Sequence, residues 1–273
     1  MDDIGAILER VREKKPLVHH LTNWVTIYDC ANICRSLGSL PIMAHAPEEV
    51  AEMQGISSAL VLNIGTLTSD FVDSMVIAGK AANEKGNVVV LDAVGAGATK
   101  MRTAAVKRLM EEIKIDVIKG NSAEIGVIAG VEAEVKGVEA ISVRGNPEEL
   151  VKELAKRSGA VAVATGKVDH VSNGEITYAV SNGHDMMGAI VGTGCMAASV
   201  IASFCAVEKD YAKASAAALS VFGIAGELAA GESRGPGTYK EKFYDALYNL
   251  DAKTAEKMHK VHSVRTVQGA GKT

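Results

Sequence analysis

Apolar residues along the first two thirds of the chain recur with two alternating periods. Ile4, Ile7 and Val11 are spaced as on one face of a helix. This spacing predicts a first helix over residues 2–13, which Pro16 ends. Short runs that are apolar at successive positions then alternate with further helical segments. These runs predict strands at residues 17–21, 40–44, 59–64, 88–91, 116–120 and 160–164.

The segments between the predicted strands carry helix start and stop signals. Thr22 or Asn23 is expected to cap a helix that continues to Leu37, and Gly38 closes it. Proline in the first turn of a helix is favourable, so another helix is expected to open at Pro47. Further helices are predicted over residues 69–85 and 147–157.

Strands that are apolar on both faces are typical of a parallel sheet covered by helices on each side. The fold class is therefore α/β. Asn173-Gly174 predicts a two-residue hairpin turn and an antiparallel ribbon over residues 168–180. From Gly192 to about His262 the pattern is helical throughout. Because no repeat or linker interrupts the chain, we predict a single domain over residues 1–262 and a flexible tail over residues 263–273.

Composition and charge narrow the class of partner. The chain has 273 residues, 48% of them hydrophobic, and a net charge of −4, which disfavours nucleic acid as the main partner. Its four cysteines show no paired spacing, which disfavours disulfides and structural zinc. No basic segment followed by an apolar core marks a signal peptide, and glycines and a glutamate interrupt the apolar stretch 214–230. We therefore expect a cytoplasmic protein that binds no membrane.

A loop of small residues precedes the long apolar run that starts at Met196. The loop consists of Gly192, Thr193, Gly194 and Cys195. The first N–H groups of a helix have no internal partner and lie at its positive end, so this loop predicts an anion hole for phosphate. The helix terminus is also expected to lower the pKa of the Cys195 thiol. The alternative is a glycine-rich turn in which Cys195 only packs.

Polar residues follow several of the predicted strands, where ligands bind in parallel sheets. Asp92 and Thr165 each come directly after such a run, while Lys119 and Glu124 flank the start of a helix. Two carboxylates beside a cation suit a magnesium nucleotide, because Mg²⁺ takes one or two protein carboxylates and keeps several waters. Taken separately, Asp92 could be a helix cap and Glu124 a solvated acid of a first turn.

Other chemistries lack their signatures. The chain has no Gly-x-x-x-x-Gly-Lys-Ser/Thr motif, and Gly95-x-Gly97 lacks the third glycine of a dinucleotide-binding loop. His184 is interpreted as structural. His19 and His20 are adjacent on a predicted strand and face opposite ways, so together they form no metal site.

Several motifs, in order along the chain from His19 to Leu250, resemble those of the hydroxyethylthiazole kinase family. They are Thr22-Asn23, Pro41-Ile42-Met43, residues 63–67, residues 91–99, residues 120–125, residues 192–196 and residues 235–238. The resemblance implies a ribokinase-like three-layer α/β/α fold. It also implies ATP-dependent phosphorylation of 4-methyl-5-(2-hydroxyethyl)thiazole in thiamine salvage, by a magnesium-dependent homotrimer with active sites at subunit boundaries.

The same resemblance implies roles for individual residues. Met43, Asn23 and Gly192 correspond to residues that contact the thiazole. Lys119 and Thr165 correspond to residues that hold ATP, and Asp92 and Glu124 to those that serve magnesium. Cys195 stands where most ribokinase-like enzymes have an aspartate base.

Two departures from the family pattern matter. The family usually has arginine where Lys119 stands, and lysine keeps the charge without the bidentate geometry of a guanidinium. The second is the missing aspartate, which together with Lys119 leaves open a sensor that binds thiazole or nucleotide without turnover. Another alternative is a ribokinase-like kinase for a different small alcohol such as a pyrimidine, which the acceptor contacts of Met43 and Asn23 would decide.

Overall fold

The computed structural model describes residues 1, 3–130, 133–136, 139–143 and 146–265, and within them a nine-stranded sheet lies between two layers of helices. The strands are β1 (Leu17–Leu21), β2 (Leu40–Ile42), β3 (Ala59–Asn63), β4 (Val88–Asp92), β5 (Val117–Asn121), β6 (Ala133–Lys136), β7 (Glu139–Val143), β8 (Val161–Thr165), β9 (Asp169–Ser172), β10 (Ile176–Val180) and β11 (Val261–Arg265). The helices are α1 (Ile4–Lys14), α2 (Ile27–Leu37), α3 (Val50–Ile56), α4 (Ser69–Lys85), α5 (Lys100–Glu112), α6 (Ser122–Ile128), α7 (Pro147–Ser158), α8 (Thr193–Cys205), α9 (Tyr211–Gly231), α10 (Pro236–Asn249) and α11 (Ala252–Met258).

The large sheet is parallel at its centre and antiparallel at one side. Its strand order is β11-β10-β9-β8-β5-β4-β3-β1-β2, and every neighbouring pair from β8 to β2 is parallel. The carboxyl ends of these six strands therefore meet at one edge, which is where parallel sheets bind ligands. Strands β9, β10 and β11 add an antiparallel extension.

Alternate residues of each central strand feed two separate cores. In β3, Ala59 and Val61 pack into the core beneath α1, α2, α8, α9 and α10, whereas Leu60 and Leu62 pack into the core beneath α4, α5 and α7. Successive side chains of a strand point to opposite faces, so a strand covered on both sides has to be apolar at every position. This explains the uninterrupted apolar runs and confirms the α/β class.

The second helix begins later than the sequence predicts. Helix α2 starts at Ile27 and has Thr26 at its N-cap, without a side-chain capping bond. Asn23 instead accepts hydrogen bonds from the N–H groups of Val25 and Thr26, both at 3.1 Å. The prediction that Thr22 or Asn23 caps the helix is wrong, because the Asn23 side chain closes a separate turn ahead of it. Gly38 ends the helix as expected, with φ +110°.

The turn between β9 and β10 contains three residues rather than two. Asn173 Oδ1 accepts from the N–H groups of Glu175 and Ile176 at 3.0 and 2.9 Å, and Gly174 has φ +91°. The asparagine side chain thus lengthens the turn by one residue. The predicted antiparallel ribbon is confirmed.

The C-terminal third is not wholly helical. Strand β11 pairs antiparallel with β10 in a register that joins Val180 to Val261 and Ile176 to Arg265. The predicted domain end at residue 262 falls inside this strand, and residues 266–273 of the predicted tail lie outside the described residues. A five-residue segment of this kind becomes a strand because a sheet edge is available to it, and its own pattern is too short to reveal that. The small antiparallel sheet of β6 and β7 also lacked a sequence prediction.

Helix α9 is long and apolar enough to span a membrane by length and composition alone. Most of it is buried inside the protein against α8 and α10. That is the environment of a core helix.

Helix α4 offers a clean test of local capping. Thr68 Oγ1 accepts from the N–H of Phe71 at 3.2 Å and supplies the N-cap. We expect Thr68→Ala to lower the free energy of unfolding by about 1 kcal/mol, because one helix N–H loses its partner. Thr68→Ser keeps the hydroxyl and should remain near wild type. Urea unfolding followed by circular dichroism measures both; an equal loss in the two variants would show that the methyl group matters rather than the cap.

Candidate active site

Two adjoining cavities open at the carboxyl edge of the parallel strands. The first has a volume of about 540 Å³ and is lined by residues that include Asn23, Lys119, Glu124 and Cys195. The second, of about 520 Å³, is lined in part by Ala197, Leu219 and Phe222. Both cavities share four lining residues, which are Thr165, Gly188, Thr193 and Gly194. The start of α8 therefore lies at the junction of the two spaces.

The start of α8 depends on a glycine. Gly192 forms the N-cap with φ +94°, and a Cβ built there would lie 2.6 Å from Thr26 Cγ2. Both the left-handed backbone and the close approach to Thr26 exclude other residues at this position. Thr193 Oγ1 donates to the carbonyl of Met187 at 3.0 Å, so its side chain is turned back to the preceding 3-10 turn. The N–H groups of the helix start thus remain available to a ligand.

A lysine ammonium lies directly against this helix start. A Cβ at Gly194 would be 3.3 Å from Lys119 Nζ, which is the nearest described atom outside Gly194, its chain neighbours and the adjacent backbone of α8. Lys119 is almost fully buried and lines the first cavity. A positive side chain and the positive end of a helix dipole thus converge, which favours a bound anion between them. The predicted anion hole and Lys119 are therefore parts of one arrangement.

The sheet register places the polar partners of Lys119 side by side. Asn63 on β3 aligns with Asp92 on β4, and Asp92 aligns with Lys119 on β5. Lys119 Nζ donates to Asp92 Oδ1 at 2.9 Å, and Asn63 Nδ2 donates to Asp92 Oδ2 at 2.7 Å. Asp92 is completely buried and caps no helix, so the alternative interpretation of it as a cap is wrong.

Burial and pairing act against each other on this ion pair. Burial by itself lowers the pKa of Lys119, but the charges of Asp92 and Glu124 outweigh it and hold that pKa above its ordinary value. Burial also raises the pKa of Asp92, while Lys119 and Asn63 oppose that change. Lys119 is consequently a permanent cation at neutral pH.

Asn63 extends the chain of contacts to the predicted acceptor residues. Its Oδ1 accepts from Asn23 Nδ2 at 3.0 Å, and Asn23 Nδ2 also donates to Cys195 Sγ at 3.3 Å. The structure therefore brings Asn23 and Cys195 together at the wall of the first cavity. The sequence analysis assigned Asn63 no role, although its place at a strand end, like that of Asp92, was the available signal.

The expected activation of Cys195 is not found. Burial raises the pKa of the Cys195 thiol, and the nearby Asp92 carboxylate raises it further, while Lys119 acts in the opposite direction. The prediction of a lowered pKa is wrong, because desolvation and the nearby carboxylate outweigh the positive helix end. At neutral pH the side chain is a neutral thiol that accepts a hydrogen bond from Asn23.

Glu124 is a buried acid rather than a solvated one. It forms a capping box with Asn121 at the start of α6, and its Oε2 accepts from the N–H of Asn121 at 2.7 Å. Its Oε1 accepts from the N–H of Gly95 at 2.6 Å, which ties the glycine loop after β4 to α6. Burial raises the pKa of Glu124, and Lys119 opposes that rise.

The donor set constrains how magnesium could bind. All four carboxylate oxygens of Asp92 and Glu124 already accept a hydrogen bond from the protein. Among the described residues, no group of three His, Cys, Asp or Glu side chains is placed to hold a metal. Glu124 lines the first cavity, whereas Asp92 lies beneath Lys119 and Asn63. This arrangement fits an ion held through its own waters and by phosphate oxygens, a common state of Mg²⁺.

Two predicted binding residues differ in placement. Thr165 ends β8, lines both cavities and donates from Oγ1 to the carbonyl of Gly120 at 3.2 Å. Met43 follows β2, is partly exposed and is not among the described residues that line either cavity. The structure of the single chain therefore does not bring Met43 to Asn23 and Gly192.

Arg102 is a further residue that the sequence analysis missed. Its Nη1 donates to the carbonyls of Ile64 at 2.9 Å and Val94 at 2.7 Å, and Nη2 donates to the carbonyl of Gly65 at 2.6 Å. One guanidinium thereby joins the loops that follow β3 and β4. No sequence motif predicts this role, because its partners are backbone carbonyls, two of them in residues more than 35 positions away.

Comparisons with known proteins agree with this geometry. A model of the hydroxyethylthiazole kinase family matches residues 8–253. A hydroxyethylthiazole kinase of Methanosarcina mazei is 56% identical over 257 residues, covering 94% of this chain and 98% of the relative. A hydroxyethylthiazole kinase of Thermoanaerobacter pseudethanolicus is 52% identical, and the match covers 93% of this chain and 97% of the relative. The chain belongs to the hydroxyethylthiazole kinase family.

Solved structures place this family member in a wider fold. A hydroxyethylthiazole kinase protein from Pyrococcus horikoshii OT3 matches with a TM-score of 0.87 at 41% identity, over 96% of this chain and 99% of that chain. A ribokinase-like superfamily protein from Enterococcus faecalis matches with a TM-score of 0.63 at 12% identity, over 91% and 95%, and shows the fold alone. The predicted ribokinase-like fold and the predicted enzyme class, a kinase, are confirmed.

The raised pKa of Cys195 in this kinase is open to direct measurement. Because the thiolate is the reactive form, iodoacetamide labelling of Cys195 in the folded protein should keep accelerating above about pH 9. In urea, where the thiol is solvated, the rate should level off near the ordinary value of about 8.5. Peptide mass spectrometry separates Cys195 from the three buried cysteines. A plateau near pH 7 in the folded protein would contradict the neutral thiol.

Proposed function

We propose that this protein transfers the γ-phosphoryl group of ATP to the hydroxyl of 4-methyl-5-(2-hydroxyethyl)thiazole, in the cytoplasm and for thiamine salvage. Membership of the hydroxyethylthiazole kinase family supports hydroxyethylthiazole as the acceptor substrate. The observation that carries the proposal is the meeting of α8 and Lys119 at the junction of two cavities. A phosphate bound at this junction would have the phosphoryl donor, ATP, in one cavity and the phosphoryl acceptor, the alcohol, in the other.

The two cavities differ in the ligand that their walls suit. The second, with Ala197, Leu219 and Phe222, offers apolar surface for a nucleobase, and Thr165 stands between it and the phosphates. The first cavity takes the alcohol, with Asn23, Gly192 and Cys195 at its wall. The transferred group then crosses the shared boundary formed by Thr193 and Gly194. Such an arrangement lowers the barrier mainly by positioning and by stabilising charge.

Cys195 acts by position in this proposal. A neutral thiol is a poor proton acceptor, but phosphoryl transfer passes through a loose transition state that needs little help from a base. Asn23 holds Cys195 from one side, so the sulfur orients the attacking hydroxyl. The hydroxyl proton leaves late, to the phosphate oxygens or to solvent.

Mg²⁺, when bound with ATP, neutralises charge on the phosphates. Glu124, in the wall of the first cavity, would bind water molecules of the magnesium ion. Asp92 would add negative charge near the ion and would hold Lys119 in place through their hydrogen bond. Lys119 binds the phosphates as a point charge, since it lacks the fork of the usual arginine.

The proposed assembly is a homotrimer with sites at subunit boundaries, as the family resemblance implies. Trp24, Val25 and Val191 beside the first cavity are half or more exposed, and a neighbouring subunit would cover them. Met43 lies outside the cavities of its own chain, which is consistent with a role in a site that a second subunit completes.

The reaction is tested by incubating the protein with ATP and Mg²⁺ and either hydroxyethylthiazole or hydroxymethylpyrimidine, with mass detection of products. Phosphorylated thiazole with little phosphorylated pyrimidine supports the proposal. Transfer to the pyrimidine instead would assign the other small-alcohol kinase. If neither product forms while calorimetry shows thiazole binding, the protein is a sensor.

Gly194 tests the seat of the phosphate. Gly194→Asp places a carboxylate against Lys119 Nζ, where it competes with the phosphate, so kcat should fall at least about 10²-fold. Gly194→Asn matches its size without the charge and should be less affected. Gly194→Ala adds one carbon 3.3 Å from Lys119 Nζ, a contact that a shift of a few tenths of an ångström relieves, and should retain most activity. Equal losses in the Asp and Asn variants would show that space, and not charge, is what the position requires.

Cys195 tests positioning against base catalysis. Cys195→Ala should lower kcat roughly tenfold to a hundredfold, because the hydroxyl loses its guide while the phosphate seat stays intact. Cys195→Ser keeps a small polar atom at the same place and should lose less. The pH profiles of kcat for the wild type and Cys195→Ala should have the same shape, because Cys195 does not act as a base. Complete loss of turnover in Cys195→Ala would refute the positioning account.

A further inference from the structure

A carboxylate without an assigned role faces the second cavity. Asp169 begins β9 and lines this cavity together with Thr165 and Gly194. Its Oδ1 accepts from the N–H of Gly166 at 2.9 Å. Its other oxygen has no hydrogen-bond partner within the part of the chain that the structure describes. The wall of the cavity proposed for the nucleotide therefore contains a carboxylate with one hydrogen-bonded oxygen and one oxygen that can still bond to a ligand.

The charges near Asp169 are few. Lys119 attracts it from β5, and Lys167 lies in the same loop. His184 and Asp185, at the start of the 3-10 turn Asp185–Ala189, also line the cavity, and both are exposed. Glu148 of helix α7 acts on His170, the residue that follows Asp169 in the chain. Among the described residues, helix α9 contributes Leu219, Phe222 and Gly223 to the cavity wall, and none of these is charged. Burial raises the pKa of Asp169 to about 7, and the Gly166 N–H and Lys119 oppose the rise.

Phosphate groups at the start of α8 would share this cavity with Asp169. Asp169 and Gly194 line the same cavity, and Lys119 Nζ lies beside Gly194, so the carboxylate and the expected phosphate position border one space. Two anions in a partly dehydrated space repel each other strongly unless one of them is neutralised. A carboxylate whose two protonation states lie close in energy can remove that repulsion by taking up a proton.

We propose that Asp169 is a nucleotide-binding residue that takes up a proton when ATP or ADP binds, and then donates a hydrogen bond to a phosphate oxygen. The proton comes from solvent to the free oxygen of the carboxylate, while the other oxygen keeps its bond to Gly166. It returns to solvent when the nucleotide leaves. This inference rests on the proposed function, since it requires nucleotide in the second cavity.

The test is calorimetric titration of ADP with Mg²⁺ into the whole protein, in buffers of different ionisation enthalpy. The dependence of the observed heat on the buffer gives the number of protons taken up. Wild type should take up close to one proton at about pH 8, and much less at about pH 6, where Asp169 is already protonated in the free protein. The affinity should accordingly fall toward a limit of about tenfold per pH unit above pH 7.

Asp169→Asn supplies the matched comparison. The amide keeps an acceptor for the Gly166 N–H and permanently donates toward the phosphate, so it imitates the protonated acid. This variant should bind ADP at pH 8 at least as tightly as wild type, without the extra proton uptake. Asp70→Asn removes an exposed carboxylate of α4, which lines neither cavity, and should leave the uptake unchanged.

The outcomes separate the inference from the proposed function. ADP binding with equal proton uptake in wild type and Asp169→Asn overturns the inference and leaves the kinase intact. A large loss of Mg²⁺-dependent affinity in Asp169→Asn also overturns it, and makes Asp169 a ligand of the metal or its waters. Failure of the wild type to bind nucleotide at all refutes the proposed function itself. Circular dichroism of both variants verifies that they are folded.

Discussion

The buried ion pair between Lys119 and Asp92 is the interaction on which the rest of the site depends. Two charges removed from water are tolerated only when their geometry is good and their other hydrogen-bonding positions are filled. The sheet register meets the first condition by aligning β4 with β5, and Asn63 on β3 meets the second. The consequence for function is a cation that is held in a fixed position near the start of α8. A flexible surface lysine at this position would have to be ordered at every turnover.

Side-chain hydrogen bonds hold the loops around this pair, in addition to the apolar packing of Ile64, Ala93 and Ala96. Glu124 binds the glycine loop after β4 through Gly95, and Arg102 joins that loop to the one after β3. Asn23 fastens the turn before α2 and reaches Cys195. Each of these side chains bonds to backbone or to another polar side chain, so the ligand-facing backbone is organised before any ligand arrives.

Charge balance explains why a neutral thiol is compatible with this site. Asp92 and Glu124 already surround a single lysine, and a nucleotide brings several further negative charges. An ionised side chain at position 195 would add to that excess, and the structure opposes it by raising the pKa of Cys195. The same excess of negative charge favours a neutral Asp169 in the second cavity when phosphate binds there.

Local apolar periodicity and glycine placement were sufficient to predict the α/β class, most strand positions and the location of Asp92, Lys119, Thr165 and Cys195 near strand ends and a helix start, because these signals involve residues close together in sequence. The family motifs are visible at the same level. The pKa of Cys195, the roles of Asn63 and Arg102, and the strand β11 became apparent only in the folded structure. Each of these depends on contacts between residues far apart in the chain: the burial of Cys195 near Asp92, the register between strands, and the availability of the β10 edge. Periodicity along one segment contains no record of such contacts.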